Sequence, residues 1–238
     1  MDLDIQELTQ NNLSGKLFIV STPIGNWDDI TFRALKTLKD VDIIICEEIK
    51  IGKRFLSHFQ IEKKIFPINE HNEKSESYKF IHDLKNGKNI ALISDCGTPL
   101  ISDPGIFFVK LAIQNHIKII PIPGTSSLLA ALITSGFDLS KFLFYGFLSP
   151  KKEERFLELK KLKNESNTIV IFETPYRLIQ LLESVKKVFE NTRKISVAYN
   201  LTMSDEKIVR GFTNDVLKFF IAEKIKKGEF IIVIENRK

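Results

Sequence analysis

Cysteine is scarce in this chain of 238 residues: Cys46 and Cys96 are the only two, beside a single Trp and two Met. Two thiols that each adjoin an apolar run cannot build a disulfide framework. With His58, His71, His82 and His116 scattered along the chain, they show no metal-ligand spacing, so no metal is expected. No apolar run approaches the roughly 18 residues of a membrane span. The start, Met1-Asp2-Leu3-Asp4, is acidic where a signal peptide would be basic and then apolar. These absences point to a reducing, cytoplasmic setting without a membrane partner. Three familiar loops are missing as well. Without G-x-x-x-x-G-K-[ST], without G-x-G-x-x-G after the first strand and without a G-x-S-x-G elbow, the sequence argues against a P-loop nucleotidase, a standard dinucleotide site and a serine hydrolase.

What is present is ordinary in bulk. Hydrophobic residues make up 43% and charged residues 27%, enough for one large or two small α/β domains. The net charge of +5 suits a polyanion such as RNA. Only seven of the 35 basic residues are Arg, and the wealth of Ile, Lys, Asn and Phe also fits AT-rich coding, so charge alone decides nothing.

Apolar runs and amphipathic stretches alternate. Strands are expected at Leu17–Ser21, Val41–Cys46, Ile65–Ile68, Asn89–Ile93 and Ile117–Ile122. Helices are expected at Asp28–Lys39, Ile51–Phe59, Ser75–Leu84 and Pro104–Asn115, the last capped by Asp103. Five short strands with helical crossovers predict a parallel sheet. Pro121-Ile122-Pro123-Gly124 breaks the pattern and sets the domain boundary, giving an N-terminal α/β domain over 1–122 and a C-terminal α/β domain over 123–238. The second half has an apolar helix at Leu128–Thr134, further helices near Glu153–Lys163, Pro175–Phe189 and Asn214–Lys226, and strands at Phe142–Phe147, Thr168–Phe172, Ile195–Leu201 and Phe230–Glu235. Its more hairpin-like spacing predicts a mixed sheet. The polar run Thr9-Gln10-Asn11-Asn12 reads as a frayed end.

Three glycine- and proline-bearing loops follow strands of the first half: Thr22-Pro23-Ile24-Gly25-Asn26, Ser94 through Gly105, and Pro121 through Ser127. A parallel sheet puts all three tips at one edge, where open α/β sheets bind ligands. The Ser94–Gly105 loop packs two Asp, two Gly and two Pro into twelve residues, more than a connector needs.

These loops resemble those of the tetrapyrrole methylase superfamily, and within it the branch that methylates a cytidine ribose 2′-hydroxyl in 16S ribosomal RNA. The strings that carry the resemblance run from Leu17 to Asn26, Asp29 to Leu35, Glu70 to Glu73, Ser94 to Gly105 and Pro121 to Gly124. Phe144-Tyr145-Gly146-Phe147-Leu148, Arg210-Gly211 and Lys227-Gly228-Glu229 follow, so nearly the whole chain is covered. The resemblance implies two α/β domains with S-adenosyl-L-methionine in the cleft between them, no metal, and a homodimer acting on 16S ribosomal RNA or the small ribosomal subunit. It implies cofactor contacts at Pro23, Gly25, Asp95, Gly97, Thr98, Gly124, Thr125 and Ser126, and at Phe172, Ala198 and Gly228 in the second domain.

The chemistry of these residue types suits that set. A carboxylate such as Asp95 can receive an ammonium, N–H groups at a helix N-terminus, as at Thr125 to Ser127, can receive a carboxylate, and Gly97 and Gly124 allow close backbone approach. Ser126 and Ser127 equally suit simple helix capping. In-line methyl transfer to a hydroxyl benefits from a base, for which Glu47, Glu48 and His71 are the candidates, Glu48 and His71 foremost. An ion pair of Glu48 with Lys50 or Arg54, and a structural hydrogen bond for His71, are the alternatives. Arg33, Lys50, Lys53 and Arg54 are candidate phosphate contacts on RNA, or a solvated surface.

The chain departs from the branch at Glu47-Glu48-Ile49-Lys50, where Glu-Asp-Thr-Arg is usual. It departs again at Thr174-Pro175-Tyr176-Arg177 for Ser-Pro-His-Arg, and at Tyr199-Asn200-Leu201-Thr202-Met203 for Arg-Glu-Leu-Thr-Lys. A tetrapyrrole or protein acceptor, or a non-catalytic RNA-binding role, therefore stays open at this point.

Overall fold

The strands of the first half are short apolar runs, and in a parallel sheet such runs are covered on both faces. In the computed structural model, which describes residues 14–236, they are β1 (Leu17–Val20), β2 (Ile43–Cys46), β3 (Lys64–Pro67), β4 (Ile90–Ile93) and β5 (Ile119–Ile122). They form one sheet in the order β3-β2-β4-β1-β5, every pair parallel. Side chains alternate between the faces. Leu17, Ile43, Ile45, Ile90 and Leu92 pack against Phe80, Ile81 and Leu84 of α3 (Glu73–Lys85) and Phe108 and Ala112 of α4 (Ile106–Gln114). Val20, Ile44, Cys46, Ala91 and Ile93 pack against Ala34 and Leu38 of α1 (Phe32–Asp40) and Phe55 and Leu56 of α2 (Ile49–His58). The result is a sheet between two helical layers, with every strand delivering its chain to the same carboxyl edge.

Two compact units divide the chain, Met1–Ser126 and Ser127–Lys238. The division falls four residues beyond the break read at Ile122, and the intervening loop bonds back onto the loop that follows β1: Thr125 Oγ1 donates to the Thr22 carbonyl. The expected frayed run Thr9–Asn12 lies outside the described residues.

The second unit carries α5 (Ser127–Ser135), β6 (Phe142–Phe147), α6 (Lys152–Leu162), β7 (Thr168–Glu173), α7 (Leu178–Phe189), β8 (Lys194–Tyr199), β9 (Lys207–Phe212), α8 (Thr213–Ala222) and β10 (Phe230–Ile234). Its sheet runs β6-β7-β10-β8-β9, parallel only between β6 and β7, hence mixed as the spacing predicts. Helices α6, α7 and α8 bury Leu159, Leu181, Val185, Val216 and Phe220 against Ile169, Ile171, Val197 and Ile232, while α5 packs on β8 and β10.

Two local readings are corrected. The single helix expected over Asp28–Lys39 is two elements: a 3-10 turn at Trp27–Asp29, and α1, whose start is fixed by Thr31 Oγ1 accepting from the Ala34 amide at 3.1 Å. Nor does Asp103 cap α4. Gly105 holds the cap position at φ +116, and the Glu73 carboxylate accepts from the amides of Gly105 (2.9 Å) and Phe107 (2.7 Å). A carboxylate at a helix N-terminus satisfies orphan donors and meets the positive end of the dipole. Glu73→Ala is therefore expected to lower stability by about 1–2 kcal/mol in urea titration, the range of a lost cap; an unchanged midpoint would contradict the cap assignment.

Candidate functional site

The loops that follow β1, β4 and β5 are fastened to one another. Thr22 and Gly97 form an isolated antiparallel bridge, exchanging amide–carbonyl bonds of 2.9 and 3.0 Å. Ser21 Oγ donates to Thr98 Oγ1 (3.2 Å), Thr98 Oγ1 donates to the Thr125 carbonyl (2.9 Å), and Ser94 Oγ reaches the carbonyls of Cys96 (3.1 Å) and Gly97 (3.2 Å). The bridge needs glycine at 97: φ is +79, and a Cβ there would stand 3.2 Å from Ile24 Cγ2. Gly124 passes so close to β1 that a Cβ would meet that of Ser21 at 2.9 Å. Leu100 and Ser102, at φ +73 and +71, add two left-handed non-glycine residues to the Ser94–Gly105 loop. Such residues persist where surrounding bonds over-determine them, which is common at ligand-binding loops.

The predicted first-unit residues Pro23, Gly25, Asp95, Gly97, Thr98, Gly124, Thr125 and Ser126 thus all lie on these loops. Thr98 and Thr125 spend their hydroxyls holding the loops together. Asp95, at the end of β4, accepts from the Glu48 amide at 3.1 Å. This ties the β4 loop to the start of α2.

Around Asp95 the sheet edge gathers carboxylates. Burial raises the pKa of Asp95, the Glu48 amide opposes that shift, and the Glu48 charge adds to it. Glu47 is raised by burial and then by Asp95, Glu70 and Glu48. Asp103 is pushed up to about 7 by burial, assisted by Glu47 and Asp95. Burial and the same acids push the Cys46 thiol up to about 12, leaving it an inert core group. Half-buried acids that destabilise one another gain most from a cation among them.

Glu48 caps α2, its carboxylate accepting from the Lys50 amide at 3.4 Å. His71 is exposed in the turn after β3, its amide bonded to Asn69 Oδ1. The four cations read as phosphate contacts are exposed on the helices of one sheet face, Arg33 on α1 and Lys50, Lys53 and Arg54 on α2. Among the described residues no cluster of His, Cys, Asp or Glu has metal-holding geometry, and no helix is long and apolar enough to cross a membrane.

In the second unit, Phe172 of β7 and Ala198 of β8 both register with Ile231 of β10, so they flank one position of the sheet. Gly228 lies three residues before Ile231 and packs flat on Tyr199, whose hydroxyl donates to the Lys227 carbonyl at 2.8 Å. Its amide donates to the Pro175 carbonyl at 3.1 Å, drawing the Thr174–Arg177 loop to the same end. Asn200 donates to Asp205 and accepts from the Glu229 amide. The Tyr199 and Asn200 side chains, where the resemblance lost charge, therefore shape loops.

Sequence reasoning misplaced the cap of α4. Asp103 was read as the helix cap that Glu73 supplies from 32 residues away, a distance at which no local pattern signals it.

The profile of the Tetrapyrrole (Corrin/Porphyrin) Methylases matches residues 16–216 of the chain. The chain is 41% identical to "Ribosomal RNA small subunit methyltransferase I" of Bacillus subtilis (strain 168) over 222 residues, 93% of this chain and 75% of the relative. It is 39% identical to the protein of the same name from Buchnera aphidicola subsp. Schizaphis graminum (strain Sg), over 95% of this chain and 80% of the relative. Among solved structures it is similar to diphthine synthase, with a TM-score of 0.73 and 14% identity over 93% of this chain and 90% of that one. The cobalt precorrin-4 methyltransferase CbiF gives a TM-score of 0.68 and 20% identity over 92% and 94%. These last two likenesses are of fold.

Proposed function

The chain belongs to the tetrapyrrole (corrin/porphyrin) methylases, and on that premise we propose that it methylates a cytidine ribose 2′-hydroxyl in 16S ribosomal RNA. It is an S-adenosyl-L-methionine-dependent methyltransferase of small-subunit ribosomal RNA. The observation that carries this is 39–41% identity, over nearly the whole chain, to relatives named for that activity. The cytidine, the ribose oxygen, the whole small subunit as substrate, a homodimer and a cytoplasmic setting extend the reading through the motif resemblance.

The residues present fit the cofactor. When bound, S-adenosylmethionine supplies an electrophilic methyl on a cationic sulfonium, beside an ammonium and a carboxylate. The carboxylates around Asp95 favour cations, Asp95 itself being the acceptor for the ammonium. The amides at Thr125 and Ser126, after Gly124, are donors for the carboxylate. Pro23, Gly25, Gly97 and Thr98 shape the loops that approach it; the motif resemblance adds Phe172, Ala198 and Gly228 to the set.

We assign the proton-accepting role to Asp103 in preference to Glu48 and His71. Glu48 caps α2, whereas Asp103 does not cap α4, and burial pushes it up to about 7, where a general base is most effective. Methyl transfer is expected to rise with pH and level off above about 7, as Asp103 loses its proton. Asp103→Asn should flatten that limb and slow transfer roughly 100-fold or more. The sign for stability is opposite. A carboxyl whose folded pKa is raised contributes stability below its unfolded value, which is lost as pH rises through about 7. At pH 8 the Asn variant should therefore unfold no earlier than the unsubstituted protein. A slower variant that keeps the pH limb would refute the assignment.

The departures at Tyr199 and Asn200 are absorbed by loop contacts and so give no argument for a porphyrin acceptor. The test of the target is complementation: the chain is expressed in a bacterium lacking its own small-subunit methyltransferase I, and the 16S RNA is analysed by nuclease digestion and mass spectrometry. A restored ribose-methylated cytidine is expected; an unmodified RNA with the protein present would overturn the reading.

A further inference from the structure

The most exposed large apolar side chain of the described residues is Phe32, with 93% of its surface free. It opens α1 and is followed by Arg33. Just before it, the 3-10 turn holds Trp27 against α2: the Trp27 ring meets His58 edge-on at 4.0 Å, and the Arg54 guanidinium lies over it, 5.7 Å from its centroid. Phe59 closes the group at 6.4 Å from Trp27 and 5.2 Å from Phe55. Helices α1 and α2 cover the same sheet face and both begin at the carboxyl edge of the sheet. Their first turns therefore place Phe32, Arg33 and Lys50 on the side where the glycine loops lie, with Lys53 one turn further along α2.

We propose that Phe32 and the Trp27–Arg54–His58 group form a platform on which unpaired bases of the RNA substrate stack, while Arg33, Lys50, Lys53 and Arg54 take the adjoining phosphates. The proposal rests on the ribosomal RNA reading and deepens it. Two features select RNA as the occupant. Arg54 lies over the Trp27 ring, and Arg33, Lys50 and Lys53 are exposed on the same two helices, which suits a polyanion. An open ring interleaved with Arg is what a base with a π-face on each side can use, because stacking is indifferent to base identity and tolerates an unstructured strand. Phe32 gains nothing from the fold in its present position, so an external surface is what would cover it. The platform would hold a nucleotide beside the acceptor, out of its helix, where a ribose hydroxyl becomes reachable.

The chain supplies its own probe, since Trp27 is its single tryptophan. Emission at Trp27 is recorded while a short single-stranded RNA is added to the full-length protein, with polyphosphate as the charge-only control. The RNA is expected to change the emission strongly and polyphosphate weakly. Phe32→Ala, at a side chain that packs on almost nothing, should weaken RNA binding roughly tenfold with the salt dependence unchanged. Lys53→Ala should instead lower the slope of log affinity against log salt by about one. Equal RNA affinity in Phe32→Ala and the unsubstituted protein would overturn the platform. So would loss of a dimer on Phe32→Ala, seen by light scattering, with RNA affinity kept, since it would give that face to a second copy of the chain. Methyl transfer to small-subunit RNA by the unsubstituted protein, measured in parallel, separates these failures from failure of the ribosomal reading itself.

Discussion

Asp95→Asn is expected to weaken S-adenosylmethionine binding by roughly 10- to 150-fold, read by calorimetry at pH 7.5. The figure is the usual worth of about 1.5–3 kcal/mol for a hydrogen bond to a charged group. Asp95 sits half-buried at the end of β4 and already gives one oxygen to the Glu48 amide at 3.1 Å. Burial and the neighbouring acid raise its pKa, so a bound ammonium would relieve an existing electrostatic cost. Asn keeps an oxygen for the Glu48 amide, so the tie between the β4 loop and α2 should survive and the melting temperature should barely move. Asp95→Ala removes that tie as well and should bind more weakly still. Affinity in the Asn variant equal to that of the unsubstituted protein would remove Asp95 from the binding residues.

Gly228→Ala carries the largest expected effect on stability. At φ +156 the backbone is in a region that side chains rarely adopt, and an added Cβ would fall 2.3–2.4 Å from the Tyr199 ring, far inside van der Waals contact. The ring cannot swing away freely, because its hydroxyl donates to the Lys227 carbonyl and its body lies in the core under Phe220. Strained backbone and overpacking each cost about 1–3 kcal/mol, so a loss of about 2–6 kcal/mol is expected, a drop of several degrees or more in melting temperature. Tyr199→Ala in the same chain should recover the overpacking part but not the backbone part, leaving the double variant more stable than the two separate losses would sum to. Simple additivity would show that ring and glycine do not contend for the same space.

Much of this arrangement was legible in the chain. The apolar runs of β2 and β4 are buried at every position, as a covered parallel strand must be, and the loops after β1, β4 and β5 do share one sheet edge. The mixed character of the second sheet was legible too. Strand β9 was not, because Gly211 interrupts an already charged run and the pairing of Lys207–Phe212 with β8 is not signalled locally. The helix read over Asp28–Lys39 failed at Thr31, whose hydroxyl competes for a backbone amide and starts the helix afresh. The carboxylates at the sheet edge show why site roles are harder to read than folds. Glu47, Glu70 and the pair Asp95 and Asp103 stand on three different loops, and the parallel topology brings their charges within reach of one another. Asp103 next to Pro104 has the local look of a cap, while the true cap, Glu73, belongs to another helix altogether. Gly97 was read as a residue that allows close backbone approach; its left-handed turn and its bridge to Thr22 are what the structure adds.

The central claim is tested most directly by incubating the purified protein with methyl-labelled S-adenosylmethionine and small ribosomal subunits from a strain lacking the modification, then digesting the RNA to nucleosides. The account predicts label in a single ribose-methylated cytidine of the 16S RNA, and little when Asp95→Asn or Asp103→Asn replaces the unsubstituted chain. Label recovered in ribosomal protein or in an added porphyrinogen, with the 16S RNA unlabelled, would contradict it.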